Sequence, residues 1–359
     1  MAGPSCRTAP IWFWQSVSTR KWGPVNESGV SGPAVGGGSA DGPGENARAI
    51  ADRARGALLG TAAGDALGAG YEFTHPGPDA PIVMKGGGPF GFEPGEWTDD
   101  TAMTAAIARA ATVARLDTTA GLDAVAEQFL RWQESGPKDM GNQTRRVLSR
   151  RADSAAVMQI DAAATGPDNA GNGSLMRTAA VAVAFAADEA PADMLSAASR
   201  ISLLTHTGVD TQLACQVWSL AIWSAIRTGS LPDLHGIVSA VVPADALDRW
   251  QRWVTAAETQ QTPEFEHNNG WVVSALQTAW WGIHRTRPVN GDPEVHIRRG
   301  LAETVRAGHD TDTTAAIAGG LLGAVYGAAA LPAEWTEMLH GWPGLNAAEL
   351  AGLADEAVR

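Results

Sequence analysis

Short alanine- and leucine-rich segments follow one another through almost the whole chain, and they constrain its fold more than any other feature. The breaks between them fall at clusters of Gly, Pro and Asp, the residues that end helices and form turns. We predict helices over residues 101–116, 121–134, 174–187, 209–227, 245–259, 270–285, 296–307 and 313–330. Extended chain is indicated only at residues 81–84. The pattern therefore predicts an all-α fold.

The first 47 residues have a different composition, rich in Gly, Pro and Ser and without apolar periodicity. Such a segment buries too little apolar surface to order itself, so residues 1–47 are predicted to be a disordered tail before a domain at 48–359. Its one apolar cluster, residues 11–14, is shorter than a signal-peptide core of about 7–15 residues. Export is therefore not predicted.

Length, charge and cysteine content bound the class of protein. A chain of 359 residues can form one large domain or two ordinary ones. Its net charge of −13 argues against nucleic acid as a partner and favours a protein that handles small ligands or other proteins. Cys6 and Cys215 have no metal-binding spacing, which predicts a reducing compartment and a cytoplasmic location.

Residues 313–331 form an apolar run about as long as a membrane span. The run begins at acidic residues and contains Gly319, Gly320, Gly323 and Gly327, which allow close helix contacts in a protein interior as readily as in lipid. We therefore predict a buried central helix and no membrane anchor.

Two stretches far apart in the chain carry nearly the same chemistry. Residues 98–101 are Thr-Asp-Asp-Thr, residues 310–313 are Asp-Thr-Asp-Thr, and each opens an alanine-rich helical segment. One acidic or hydroxyl residue suffices to cap a helix, whereas adjacent carboxylates repel one another unless a cation lies between them. Two interpretations remain: a single metal site, or two acidic helix starts that never meet in space.

The side chains available as metal ligands determine which ions such a site would hold. Carboxylates and hydroxyls without cysteine favour Mg²⁺, Mn²⁺ or Ca²⁺ over Zn²⁺. Four aspartates would neutralise two divalent ions, and a pair about 3.5–4 Å apart would activate a water and hold a substrate oxygen. If the two motifs meet, the sequence therefore predicts a dinuclear centre.

Two further segments carry polar groups of interest. Asp65 lies within an apolar, glycine-containing stretch and needs a partner, and Glu72 follows between two aromatic residues, where a solvated surface position is the alternative. The glycine-rich turn at 171–174 precedes an apolar helix, and its N–H groups could bind phosphate. Turns of this kind also occur without any ligand.

Taken in order, five motifs resemble those of one enzyme family. They are Gly64 to Gly68 with Glu72, Gly95 to Thr101, Gly171 to Arg177, Leu204-Thr205-His206, and Gly308 to Thr313. From about residue 50 to 330 the chain resembles the ADP-ribosylglycohydrolases, which include the dinitrogenase-reductase-activating glycohydrolases and the ADP-ribosylarginine and ADP-ribosylserine hydrolases. The resemblance implies a single compact all-α domain with two Mg²⁺ or Mn²⁺ ions that removes ADP-ribose from a modified protein or small molecule.

The resemblance also implies roles for individual residues. The metal ligands would be Thr98, Asp99, Asp100, Asp310, Asp312 and Thr313. Substrate contacts would come from Gly171, Asn172, Gly173, Ser174, His206 and His309. His309 stands where the family most often has glycine or asparagine, a departure that bears on acceptor preference because the carboxylates themselves are intact. We expect its side chain near the metal pair, with helix capping or solvent exposure as the alternative.

The chemistry expected of such a site is hydrolysis of a glycosidic bond through an oxocarbenium-like state. Glu72 or Asp100 would move a proton to or from the water and the leaving group, and the residues alone do not decide between them. Two other functions stay open: a related dinuclear hydrolase of a free nucleotide-sugar or phosphoribosyl compound, and a non-catalytic ADP-ribose binder or immunity protein. The intact carboxylates argue against a non-catalytic binder, because a protein that only binds ADP-ribose need not keep four carboxylates together.

Overall fold

A computed structural model describes residues 43–166, 169–288 and 291–358. Residues 1–42 of the predicted tail therefore lie outside the described residues. The first helix begins at Pro43, five residues before the predicted domain boundary at 48. Proline is well tolerated there, because the first turn of a helix needs no backbone N–H donor.

Within these ranges helices are the main secondary structure and only two short strands occur, which confirms the predicted all-α class. The helices are α1 Pro43–Gly68, α2 Asp99–Val113, α3 Thr119–Glu134, α4 Asn142–Leu148, α5 Ala155–Ala163, α6 Ala179–Ala184, α7 Ala192–Ser202, α8 Val209–Thr228, α9 Leu234–Val241, α10 Ala244–Thr259, α11 Val272–Arg285, α12 Pro293–Arg306, α13 Thr311–Tyr326, α14 Ala333–Thr336 and α15 Ala347–Ala357. A hairpin of two short antiparallel strands, β1 His340–Gly341 and β2 Leu345–Asn346, precedes α15.

α1 and α13 pack against each other along glycines, and this contact forms the centre of the domain. A Cβ atom on Gly60 would lie 2.2 Å from the carbonyl oxygen of Gly319, and one on Gly56 would lie 2.3 Å from that of Gly323. Side chains at these positions would force the helices apart. The pairing of Gly56 with Gly323 and of Gly60 with Gly319 shows that the helices run antiparallel.

The antiparallel pairing brings the end of α1 to the start of α13. A Cβ on Gly68 would lie 2.5 Å from the Cα atom of Asp312, so the acidic motif that opens α13 lies directly beside the last turn of α1. α13 is buried along nearly its whole length and also packs on α8, α11 and α12. The predicted buried central helix is thus confirmed, and no described helix is long and apolar enough to cross a membrane.

Two predicted segments differ from the structure. The helix expected over 174–187 is reduced to α6, because the carbonyl of Asn172 accepts from the N–H groups of Leu175 and Met176 in a tighter turn that precedes it. Residues 81–84 do not pair as a strand. There the hydroxyl of Tyr71 donates to the carbonyl of Pro81 and accepts from the N–H of Val83, in place of a neighbouring strand.

Candidate metal centre and substrate pocket

Asp65, near the end of α1, is a fully buried carboxylate that holds the start of α2 in place. It accepts hydrogen bonds from the backbone N–H of Thr98 at 2.9 Å, and from both the N–H and the hydroxyl of Thr101 at 2.9 and 2.6 Å. Burial raises its pKa to about 6, and these hydrogen bonds act in the opposite direction. The sequence marked Asp65 as a charge in need of a partner but did not place it in the site.

The first acidic motif forms the N-terminus of α2. Thr98 is the N-cap residue, and its hydroxyl donates to Oδ2 of Asp100 at 2.9 Å. Asp100 is fully buried, and its other oxygen, Oδ1, has no hydrogen-bond partner. Burial, followed by the nearby Asp139, raises the pKa of Asp99 well above its ordinary value.

The second acidic motif forms the N-terminus of α13. Oδ2 of Asp310 accepts from the side-chain amide of Asn172 at 2.7 Å. Asp312 is buried, and its Oδ1 has no hydrogen-bond partner. Burial, followed by the charge of Asp100 on α2, raises the pKa of Asp312 well above its ordinary value.

The two motifs therefore meet, and the alternative of two separate acidic helix starts is wrong. Oxygens of Asp65, Asp100 and Asp312 lie within 4.8 Å of one another, and so do oxygens of Glu72, Asp310 and Asp312. Asp312 belongs to both groups. Each of the two oxygen clusters could hold a cation, and Asp312 would be available to both.

The electrostatics of the cluster fit a hard divalent cation. Three buried carboxylate oxygens lack any hydrogen-bond donor: Oε2 of Glu72, Oδ1 of Asp100 and Oδ1 of Asp312. Burial, followed by the charge of Asp310, raises the pKa of Glu72 to about 9. Cations bound among these oxygens would satisfy them and relieve the mutual repulsion, and the all-oxygen ligands suit Mg²⁺ or Mn²⁺.

A cavity of about 380 Å³ opens beside the carboxylates. Predicted site residues that line it are Glu72, Asp99, Asp310, Asp312, Thr313, Gly171, Asn172, Gly173 and His206. Thr98 and Asp100 are buried and do not line it. The hydroxyl of Ser174 also lies away from the cavity, 3.3 Å from the sulfur of Cys215, because the tight turn at 172–174 directs this side chain into the core.

His206 packs directly against the glycine turn in the lining of this cavity. A Cβ atom on Gly173 would lie 3.0 Å from Cε1 of the imidazole, so glycine is needed for the turn to approach the ring. Nδ1 of His206 lies 2.8 Å from the hydroxyl of Thr205, which in turn accepts from Nη2 of Arg177 at 2.7 Å. Burial, assisted by the charge of Arg177, lowers the pKa of His206 to about 3, so the ring is neutral.

The structure does not place His309 as expected. Its φ angle of +60° lies in the left-handed region, and its Nε2 is 3.3 Å from Nε2 of His75. The ring is exposed and lines an adjoining cavity, whereas Asp310, the next residue, lines the cavity described above. The backbone turn between the two residues sends their side chains to different sides.

Asn269 and Asp139 are polar residues of the site that the sequence did not reveal. The side chain of Asn269 donates to the carbonyl of Gly308 at 2.9 Å and accepts from the N–H of Asp310 at 3.1 Å, so it fixes the approach to α13. Asp139 lines the cavity from the loop before α4. Neither residue lies in an acidic or glycine-rich motif that would have marked it.

Comparison with known proteins agrees with this geometry. The sequence profile described as ADP-ribosylglycohydrolase matches residues 46–359. The chain belongs to the ADP-ribosylglycohydrolase family. Family membership makes this glycohydrolase an enzyme that cleaves ADP-ribose linkages, and it confirms the resemblance found in the motifs.

Several relatives of this ADP-ribosylglycohydrolase carry functional names. It is 30% identical over 295 residues to the ADP-ribosylarginine hydrolase Tri1 of Pseudomonas putida (strain GB-1), covering 80% of this chain and 74% of that protein. It is 30% identical over 298 residues to the ADP-ribosyl-[dinitrogen reductase] glycohydrolase of Rhodospirillum rubrum, covering 81% and 91%. A solved structure described as an ADP-ribosylglycohydrolase-related protein complex matches with a TM-score of 0.68 and 30% identity, covering 86% of this chain and 98% of that one.

Proposed function

We propose that this protein is a divalent-metal-dependent hydrolase that releases ADP-ribose from an ADP-ribosylated protein or small molecule, with arginine-linked ADP-ribose as the favoured substrate. The observation that carries the proposal is the pair of carboxylate clusters sharing Asp312 at the edge of an open cavity. The names of the relatives from P. putida and R. rubrum support the reaction, and the former supports arginine as the acceptor.

The residues that would hold two Mg²⁺ or Mn²⁺ ions are Thr98, Asp99, Asp100, Asp310, Asp312 and Thr313, with Asp65 supporting them from α1. When bound, such ions supply positive charge that polarises a water and the vicinal hydroxyls of the distal ribose. Thr98 and Asp65 are tied to α2 by hydrogen bonds, which makes the oxygen positions rigid before any ion binds.

Glu72 is the better candidate for proton transfer. It lines the cavity and has one oxygen without a partner, whereas Asp100 is enclosed and bonded to Thr98. In hydrolysis the water oxygen bonds to the anomeric carbon, the bond from that carbon to the acceptor nitrogen or oxygen breaks, and the proton lost by water reaches the leaving group. A carboxylate beside the anomeric carbon can accept that proton and deliver it.

The far side of the cavity is suited to the rest of ADP-ribose. The glycine turn at 171–173 allows backbone groups to approach an anion closely, and neutral His206 can exchange a hydrogen bond with a ribose or phosphate oxygen. The acidic net charge supports a small-molecule or protein substrate over nucleic acid. A cytoplasmic location is also part of the proposal, and the cysteine pattern supports it.

Release of free ADP-ribose from three substrates tests the proposal. Purified protein is incubated with arginine-linked, serine-linked and small-molecule-linked ADP-ribose in Mg²⁺, in Mn²⁺ and after EDTA treatment. We expect turnover of the arginine-linked substrate with either ion and none with EDTA. Hydrolysis of a free nucleotide-sugar alone would favour the related-hydrolase alternative, and tight ADP-ribose binding without any turnover would favour a binding protein.

Metal binding is tested separately. Asp99→Asn and Asp310→Asn should remove metal-dependent activity while helical content is kept, because each deletes one ligand charge from a preformed site. Crystals soaked in Mn²⁺ should show two anomalous peaks beside residues 98–100 and 310–313. A single peak would refute the dinuclear centre and leave the hydrolase assignment standing.

A further inference from the structure

A second cavity, of about 470 Å³, adjoins the catalytic one. Residues from three places in the chain line it: His75, the loop at 262–269, and the end of α12 with His309. The two cavities share a wall. Glu72, Phe73 and Asp310 line the catalytic side, and their chain neighbours His75 and His309 line the other side.

The wall is built by backbone hydrogen bonds between two short segments. The N–H of Phe73 donates to the carbonyl of His309 at 2.6 Å, and the N–H of His309 donates to the carbonyl of Thr74 at 3.3 Å. Phe73 and His309 both have φ angles near +60°, the left-handed region that non-glycine residues seldom adopt. This unusual backbone directs neighbouring side chains to opposite cavities.

The packing of His75 shows that the wall is closely fitted. A Cβ atom on Gly308 would lie 2.4 Å from Cδ2 of His75, so the imidazole rests directly on the glycine backbone. The ring also meets that of His309 edge-on, with centroids 4.4 Å apart. The rings of His75 and His309 therefore line the second cavity, and each lies within three residues in sequence of a carboxylate of the catalytic cavity, Glu72 or Asp310.

The lining of the second cavity carries negative charge. Glu264 and Glu266 are exposed and line it, and across the described part of the chain neither has an ion-pair partner. Arg306 also lines the cavity, but its terminal nitrogens are engaged: Nη1 donates to Glu303 at 3.1 Å and Nη2 to the carbonyl of Ala80 at 2.9 Å. The other basic side chains of the lining are the histidines His75, His267 and His309. A cationic ligand that lies against Glu264 and Glu266 is thus complementary to this side of the cavity.

We infer that the second cavity is the acceptor subsite, which holds the residues of the substrate protein that flank the modified side chain and prefers basic residues there. The inference rests on the proposed function, in which Glu72 acts at the bond to the acceptor, so that an acceptor chain leaves the catalytic cavity beside the wall that carries Glu72. The shared wall places the second cavity next to the scissile bond, and the unpaired Glu264 and Glu266 give it a preference for lysine or arginine neighbours.

The test compares peptides that differ only in their flanking charge. Three substrates are used: ADP-ribosyl-L-arginine, a peptide with ADP-ribosylated arginine between lysines, and the same peptide with glutamates in their place. For the natural protein we expect kcat/KM to be higher for the lysine peptide than for the glutamate peptide. The Glu264→Gln, Glu266→Gln double variant should reduce this ratio roughly threefold to tenfold, the range expected for two exposed ion pairs.

A matched control separates local from overall charge. Glu189→Gln, Glu356→Gln removes the same two charges from exposed positions outside both cavities, and it should leave the peptide ratio unchanged. Raising the salt concentration should reduce the ratio for the natural protein and have little effect on the double variant.

The outcomes distinguish the inference from the function it rests on. If the natural protein hydrolyses ADP-ribosyl-L-arginine but shows no preference between the peptides, the acceptor subsite is refuted and the proposed function stands. An equal decrease in kcat/KM on all three substrates in the double variant would also refute the acceptor subsite, since it would show a general effect on catalysis. Absence of turnover on every arginine-linked substrate would overturn the proposed function and the inference together.

Discussion

Glu72 and Asp100 belong to the same acidic cluster but differ in what surrounds them. Glu72 borders the cavity, whereas Asp100 is enclosed and accepts from Thr98. A group that exchanges protons with substrate must reach it, and a metal ligand needs only to reach the ion. The two carboxylates therefore have separable roles despite their proximity.

Substitution of each should show this separation. Glu72→Gln should lower kcat by about 10²–10⁴-fold at saturating Mn²⁺ while free ADP-ribose still binds, because the amide cannot carry the proton. Asp100→Asn should instead raise the Mn²⁺ concentration needed for activity. Steady-state kinetics over a Mn²⁺ titration measure both effects, and an exchange of the two phenotypes would reverse the assignment.

The hydroxyl of Thr205 joins a buried guanidinium to the substrate-facing imidazole. Thr205→Val should leave Nη2 of Arg177 without its 2.7 Å acceptor, at a cost of about 1–3 kcal/mol in the free energy of unfolding. It should also weaken ADP-ribose binding, because His206 loses the contact that orients its ring. Thr205→Ser keeps the hydroxyl and is the control. Denaturant unfolding and ADP-ribose titration test the two claims, and equal behaviour of both variants would contradict them.

At the scale of elements, the glycine contact between α1 and α13 sets the distance between Asp65 and Asp312. Gly60→Ala places a methyl group against the carbonyl of Gly319, so we expect a loss of about 1–3 kcal/mol of stability and weaker Mn²⁺ binding. Gly352→Ala is the control, because a Cβ atom on Gly352 in α15 would meet no other part of the protein within 4 Å, and the variant should gain about 0.5–1 kcal/mol of stability. Thermal unfolding measures the stability of both variants, and Mn²⁺ titration measures their metal affinity. Unchanged Mn²⁺ affinity in Gly60→Ala would show that the glycine contact between α1 and α13 does not position the metal ligands.

The helices and the acidic motifs could be predicted from the sequence because both are local patterns. A helix has a period of its own, and four oxygen donors in one turn are conspicuous. Asn269, in contrast, acts through hydrogen bonds to Gly308, Asp310 and Asn172, which are all distant in sequence. The orientation of His309 depends on a left-handed backbone angle that nothing in its neighbours specifies. Such features depend on tertiary contacts, which could not be predicted from this single sequence.

For the whole molecule, the crowded carboxylates couple stability to pH and to metal. Glu72 has a pKa of about 9 in the folded protein against 4.5 for the free side chain. The folded state therefore holds a proton that the unfolded state has lost, and stability must fall as pH rises between these values. The slope is about 1.4 kcal/mol per pH unit for each proton retained.

We expect the melting temperature of EDTA-treated protein to drop by several degrees between pH 6 and pH 8.5. Saturating Mg²⁺ should raise the melting temperature and flatten the dependence, because ions replace the retained protons. Calorimetry at four pH values with and without Mg²⁺ measures this. Metal-free protein that became more stable toward alkaline pH would contradict the assigned direction.

The glycine contact between α1 and α13 restricts how such an enzyme can change over evolutionary time. The separation of the carboxylates is fixed by two backbones in contact, so no side chain elsewhere can compensate for a bulkier residue at Gly60 or Gly319. Residues 262–268 are mostly exposed and carry no such restriction, whereas Asn269 after them is held by its hydrogen bonds to Gly308 and Asp310. Related enzymes that come to act on new ADP-ribosylated acceptors are therefore expected to differ in residues 262–268 and to keep the glycines between α1 and α13.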